Sequence, residues 1–129
     1  SGEKGEARNW ELFHYLFQDG AKLIPSGPAK NGTYQLRYSS PTEYAKNSGK
    51  YLVENVFFEK ETHRTLQQFG NIAQVFSTYA AYHSQADSLP FVTGINSIQL
   101  IYDNQRWWVV NIFWAQASEA NPIPAEFKG

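Results

Sequence analysis

The chain has 129 residues, 42% hydrophobic and 18% charged, which is the composition of one folded domain. Cysteine is absent, so disulfides, thiolate metal sites and cysteine nucleophiles are excluded. Eleven Lys and Arg stand against twelve Asp and Glu with no basic stripe, which argues against nucleic acid as a partner.

No apolar run approaches the ~20 residues that span a bilayer. Methionine is missing even at position 1. A segment upstream of Ser1 is therefore expected. A secreted or periplasmic protein after signal removal and a trimmed cytoplasmic one fit equally. The bias that demands an explanation is aromatic: 4 Trp, 8 Tyr and 9 Phe make 16% of the chain. Rings in that number need a core, a pocket or an interface.

One domain is expected over 1–129, with a loose polar tail at 1–9 and a second tail at 121–129. Trp10, Phe13 and Phe17 follow helical spacing, with Asn9 as cap and Gly20 as stop, and predict a short amphipathic helix. Ala21–Ile24 is a short apolar stretch, and Pro25–Gly32 has loop chemistry. Thr33–Tyr38 predicts a strand. Ser40-Pro41-Thr42-Glu43 is a capping box, predicting a second helix closed by Gly49. Four long strands follow: Tyr51–Arg64, Ile72–Tyr82 after a turn at Phe69-Gly70-Asn71, Phe91–Tyr102 after the polar loop Ser84–Pro90, and Trp107–Gln116 after the turn Asp103–Arg106. Prolines 122 and 124 end the sheet. The order is that of an α+β domain with helices on one sheet face.

The last turn sets a register. With Asn104 and Gln105 as loop residues, Tyr102 faces Trp107, Leu100 faces Val109, Ile98 faces Asn111 and Asn96 faces Phe113. The opposite face carries Ile95, Ser97, Gln99, Ile101, Trp108, Val110, Ile112 and Trp114. Both faces are largely apolar, which an antiparallel sheet with one solvated side does not show. One face must cover the helices. The other needs a cover, and a second copy of the chain through Trp108, Val110, Ile112 and Trp114 is the expectation. The competing cover is the C-terminal tail folded back.

Three segments carry a resemblance: Phe69–Tyr79 (FGNIAQVFSTY), Gly94–Leu100 (GINSIQL) and Arg106–Trp114 (RWWVVNIFW), with Asn121-Pro122-Ile123-Pro124 closing. They resemble bacterial proteins of the nuclear transport factor 2-like superfamily, from Trp10 onward. The resemblance implies a cone: a strongly curved, mixed but mainly antiparallel sheet wraps helices as a cone-shaped barrel and leaves a pocket. It also implies dimerisation through the convex face, and a longer N-terminal helix than residues 1–9 can supply. Ketosteroid isomerase and polyketide cyclases are in the superfamily, so isomerase, dehydratase or cyclase chemistry is one function it implies.

Such enzymes need a base within reach of a C–H and a donor at the developing enolate. On the face assigned to the pocket the polar residues are Asn96, Asn111 and Tyr102, joined by Tyr79 or Ser77 depending on strand pairing. Asp19, Asp87 and Asp103 fall in turns and loops, so no carboxylate pair is placed there. Glu59, Glu61 and His63 alternate on one strand and are expected to share a face, read as an acid–base or metal cluster or as a solvated edge. His14 reads as a partly buried, non-catalytic helix residue and His83 as an exposed one. Gly70 and Gly94 are turn or bulge glycines. No GxGxxG or Walker pattern occurs, so no cofactor is expected, and no metal site. The leading reading is a dimeric domain binding a small, mostly apolar molecule. Its wall would be Trp10, Phe13, Phe17, Tyr79, Ile98, Trp107, Val109 and Phe113, with Asn96 and Asn111 as polar anchors. The alternatives are an enzyme of the isomerase, dehydratase or cyclase kind and a non-catalytic protein-interaction module.

Overall fold

The computed structural model describes residues 10–28, 31–54 and 58–129. The expected tail at 1–9 and the Asn9 cap lie outside them. The elements are α1 (Trp10–Tyr15), β1 (Phe17–Pro28), β2 (Tyr34–Leu36), α2 (Pro41–Glu54), β3 (Phe58–Phe69), β4 (Ile72–Tyr82), β5 (Val92–Tyr102), β6 (Trp107–Gln116) and a closing 3-10 turn, Ala125–Phe127. They build a six-stranded sheet in the order β2-β1-β6-β5-β4-β3. β1 runs parallel to β6 and the other pairs are antiparallel. The architecture is α+β and mixed, as expected. The sheet does not close into a barrel: β2 and β3 are its edges.

Local chemistry explains most elements. Ser40 Oγ accepts the Glu43 N–H and Glu43 accepts the Ser40 N–H, both at 3.0 Å, completing the capping box of α2. Asp103 Oδ1 accepts the N–H groups of Gln105 and Arg106, each at 2.9 Å, and Asn104 takes φ 78°, closing the β5–β6 turn.

Three boundaries depart from the sequence reading. α1 ends at Tyr15, and the chain enters β1 at Phe17. Gly20, at φ +82°, serves an irregularity in the β1–β6 pairing instead of capping a helix. Phe17, Ala21 and Leu23 are thereby strand residues at the centre of a buried cluster. The strand also continues through Pro25 to Pro28. Finally, α2 runs past Gly49 to Glu54, so 51–54 is helix and not the start of a strand. A mid-helix glycine costs about 1 kcal/mol against alanine, which packing can override.

The helices lie on one sheet face. Phe13 of α1 and Tyr44 of α2 pack on the Phe17–Ala21–Leu23 cluster together with Val109, Ile112 and Trp114. The C-terminal segment crosses the opposite, outer face. There the Thr78 hydroxyl donates to the Phe127 carbonyl at 2.7 Å, and the Phe127 ring lies 5.3 Å from Phe76.

The β5–β6 register matches expectation from Tyr102↔Trp107 to Leu100↔Val109, then slips by one. Val110 is the extra residue of a bulge, after which Gln99 pairs with Asn111, Ile98 with Ile112, Ser97 with Phe113 and Asn96 with Trp114. A one-residue slip exchanges the faces of everything beyond it. Asn111 and Phe113 therefore sit on the outer face, and Ile112 and Trp114 on the helix-covered face, the reverse of the placement read from an unbroken hairpin.

Candidate functional site

The chemistry-bearing side chains gather where β3, β4 and β5 run side by side, on the sheet face that carries the helices over β1 and β6. β4 turns Ala73, Val75, Ser77, Tyr79 and Ala81 toward that face, all buried. Their β5 partners are Leu100, Ile98, Asn96, Gly94 and Val92. On β3, Glu59 pairs with Ala81, Glu61 with Tyr79 and Arg64 with Ser77. Partners in a ladder share a face, so both glutamates belong to the helix-covered side.

This overturns two expectations. A carboxylate pair does occupy that face. The Glu59-Glu61-His63 trio, however, is split. The pairing shifts between Glu61 and His63, and His63 is left opposite Thr78 on the outer face. Among the described residues no group of three His, Cys, Asp or Glu is placed to hold a metal ion.

The two glutamates are electrostatically unlike. Burial pushes Glu61 upward, but the Ser77 hydroxyl, donating to Oε2 at 2.5 Å, and Arg64 outweigh it. Arg64 donates to Oε1 from Nε at 3.0 Å and bridges it at 2.8 Å. Glu61 is thus held below the usual carboxylate range. Glu59 lacks such donors among the described residues and keeps access to solvent. Desolvation raises its pKa. Burial first and then the Glu59 charge raise the phenols of Tyr44 and Tyr79, the latter to about 12. Both tyrosines are therefore neutral hydrogen-bond donors at physiological pH.

Tyr79 is 6% exposed and makes no hydrogen bond among the described residues. Its ring lies across Gly94, whose missing side chain leaves the room it occupies. Ser77 faces Asn96 across the same ladder.

The other expected wall residues divide. Phe13, Phe17 and Val109 pack in the helix–sheet core, and Ile98 shares their face. Trp107 does too, but at the far end of the hairpin, 36% exposed, with its ring 5.4 Å from Tyr102. The Trp10 side chain lies outside the described residues. Asn111, on the outer face, donates to Gln99 at 2.9 Å. Phe113 lines an outer cavity of about 290 Å³ with Phe76, Ile95, Pro122 and Ile123. Trp108 is held at the hairpin end: the Arg106 guanidinium stacks 3.2 Å from its ring and 3.8 Å from Tyr15. His14 and His83 are exposed, each against a phenylalanine ring. Tyr44 is not among the residues expected from the sequence, although its place one turn after the Ser40 cap points it at the core, where its ring lies 6.0 Å from Phe13 and 6.3 Å from Trp114.

No family model matches the sequence, and no curated protein does. Solved structures do match. A protein of unknown function with a cystatin-like fold from Nostoc punctiforme superposes with TM-score 0.65 at 12% identity, over 86% of this chain and 78% of the other. A nuclear transport factor 2-like protein of unknown function from Silicibacter pomeroyi gives 0.57 at 12%, over 88% and 81%. A candidate ketosteroid isomerase from Shewanella frigidimarina gives 0.54 at 16%, over 82% and 80%.

The chain has the cone fold of the nuclear transport factor 2-like proteins. The helices pack on the concave face of that fold, so Glu59, Glu61, Ser77, Tyr79 and Asn96 are inward-facing residues. No helix among the described residues is long and apolar enough to cross a membrane.

Proposed function

We propose that this domain binds a small, mostly apolar molecule inside the cone, holding its polar atom with Tyr79. The observation that carries the reading is the Tyr79 hydroxyl, on a side chain 6% exposed and without a hydrogen-bond partner among the described residues. A phenol hydroxyl not committed within the protein is free to donate to a ligand's oxygen or nitrogen. Asn96 and Glu59 supply further polar contact. Ile98, Val109, Phe13 and Phe17 supply apolar wall, and Ile112 and Trp114 take the places first given to Phe113 and Asn111. Trp107 completes the wall as proposed from the sequence. Thermal unfolding against a set of small hydrophobic alcohols, ketones and amines tests this. At least one class should raise Tm in the parent and not in Tyr79→Phe, since bound ligand stabilises in proportion to its occupancy. No shift across the whole set would overturn the reading.

The dimer belongs to the same proposal, through the outer face. Phe69 (84% exposed), Ile72 and Val110 line an apolar groove of about 470 Å³ there, and Phe113 is exposed on the same face. Ile112 and Trp114 have no part in it, and Trp108 lies at its edge.

A second reading is favoured by one observation. Burial pushes the Glu59 carboxyl above its ordinary value, and it shares the inner face with the neutral Tyr79 phenol, a donor for a developing enolate oxygen. Deuterium exchange next to the carbonyl of small cyclic ketones, followed by NMR, tests proton transfer. Exchange lost in Glu59→Gln supports it; the absence of catalysed exchange by the parent rejects it.

A further inference from the structure

The outer face holds a cavity of its own beside the C-terminal segment. Its floor is a row of three ladder partners, Phe76 on β4, Ser97 on β5 and Phe113 on β6. The next row brings Ile95 beside Ala115. Small side chains set between two phenylalanines leave a slot. Neighbouring strands lie about 4.8 Å apart, so β4 and β6 leave room for one flat ring above Ser97. One wall is the C-terminal segment itself. It is fixed at its start, where the Ala117 N–H donates to the Thr93 carbonyl at 2.8 Å, and near its end, where Thr78 holds Phe127. Between these anchors Pro122 and Pro124 have no N–H to give. Among the described residues no backbone hydrogen bond ties 122–124 to the sheet. The segment therefore does not ladder onto the strands, and the space left beside it is about 290 Å³.

We propose that this cavity is a second binding site, for a neutral, flat, two-ring molecule that carries one hydroxyl or amide group. Size sets the two rings: a dry cavity of about 150 Å³ takes benzene, so about 290 Å³ takes a fused pair. The lining sets the neutrality. None of the described lining residues is ionisable, so a charge moved there would lose its water without gaining a partner. The polar side chains in the lining are Ser26, Ser97 and Asn121, and none makes a side-chain hydrogen bond among the described residues. Hydroxyl and amide groups both donate and accept, so they match a hydroxyl or amide on the ligand. Apolar walls with a few uncommitted polar groups are the usual make-up of a small-molecule site. The site is separate from the cone interior, because Ser97 and Phe113 point away from the face that carries Tyr79. It also shares no lining residue with the groove at Phe69, Ile72 and Val110.

Methyl NMR with 2-naphthol as the probe tests this. With isoleucine and alanine methyls labelled, contacts from the naphthol ring should appear at Ile95, Ile123 and Ala115, whatever Ile98 and Ile112 report from the cone. Ser97→Leu fills the slot and should abolish the contacts at Ile95 and Ile123. If that variant does not fold, Ala115→Leu fills the same slot from the next row. Ser97→Ala keeps the shape and removes the hydroxyl, so the affinity titrated at Ile95 should fall about threefold to tenfold. 2-Naphthoate, the same rings with a charge, should bind there about tenfold more weakly than 2-naphthol. No contact at Ile95, Ile123 and Ala115 at millimolar 2-naphthol, or contacts that survive the filling variants, overturns the site. Equal binding of 2-naphthoate, or no loss in Ser97→Ala, overturns the ligand class. Ile95 and Ile123 signals that move with protein concentration alone would give the cavity to a second copy of the chain and overturn the proposal. None of these results bears on the cone, whose ligand is read from Tyr79→Phe.

Discussion

The Tyr79 phenol and Gly94 occupy each other's space. A Cβ on Gly94 would stand 2.6 Å from Tyr79 Cζ and 2.5 Å from the Ala115 carbonyl oxygen. The tyrosine could swing aside, but the carbonyl is backbone and cannot. Gly94→Ala should therefore destabilise the fold by about 1–3 kcal/mol, the usual cost of overpacking. It should also shift the Tyr79 ring resonances. Urea denaturation and NMR check the two effects. An alanine variant as stable as the parent would show that the strand has slack here.

Glu59 sets a pH dependence of definite sign. Its pKa is raised in the folded chain, so the folded state binds the proton more tightly than the unfolded chain does. The stability this contributes is full below the ordinary value of 4.5 and is lost as pH rises through the folded value. Glu59→Gln, which mimics the protonated form, should thus raise Tm above that window, with the gain vanishing below pH 4.5. Tm measured for both proteins across the acid range decides this. A variant that lowers Tm at neutral pH would mean that Glu59 has a stabilising partner.

Glu61 predicts the opposite. Its pKa is lowered, so its stabilisation is present above the ordinary value and lost as pH falls through the folded one. Ser77→Ala removes the 2.5 Å donor. It should leave a stability curve that falls less steeply on acidification, starting from a lower neutral value. Losing a hydrogen bond to a charged group costs about 1.5–3 kcal/mol.

At the hairpin end, Arg106 is sandwiched between Tyr15 and Trp108 and donates to the Tyr15 carbonyl. Trp108 Nε1 is anchored in turn on Asp103 Oδ2 at 2.7 Å. This ties the end of α1 to the β5–β6 turn. Only a flat guanidinium can stack on two rings and donate sideways, so Arg106→Lys should not conserve the contact. About 1–2 kcal/mol of stability should be lost, with a red shift of tryptophan emission. Unchanged emission would place the stack outside the solution structure.

The proposed dimer is checked on the outer face. Ile72→Lys combined with Val110→Lys places two charges in its exposed apolar patch. Light scattering coupled to size exclusion should give a dimer for the parent and a folded monomer for the variant. A monomeric parent at micromolar concentration rejects the dimer.

The strand-rich half of this chain is legible from local chemistry. Ile72–Tyr82 and Trp107–Gln116 are bounded by turn residues, Gly70 and Asp103–Arg106, that admit few other conformations. Ser40 and Glu43 announce the start of α2 because the cap is a contact between near neighbours. The bulge at Val110 is not legible, since Trp107–Trp114 is almost continuously apolar and either register buries rings on both sides. Only packing against Phe17, Leu23 and Tyr44 decides that Ile112 and Trp114 face inward. The slip at Thr62 is hidden in the same way, and it alone separates His63 from the glutamates. The aromatic surplus is a property of composition. Which rings line the cone, which stack on Arg106 and which lie open on the outer face depends on one-residue shifts between strands, and those are settled by contacts between residues far apart in the chain.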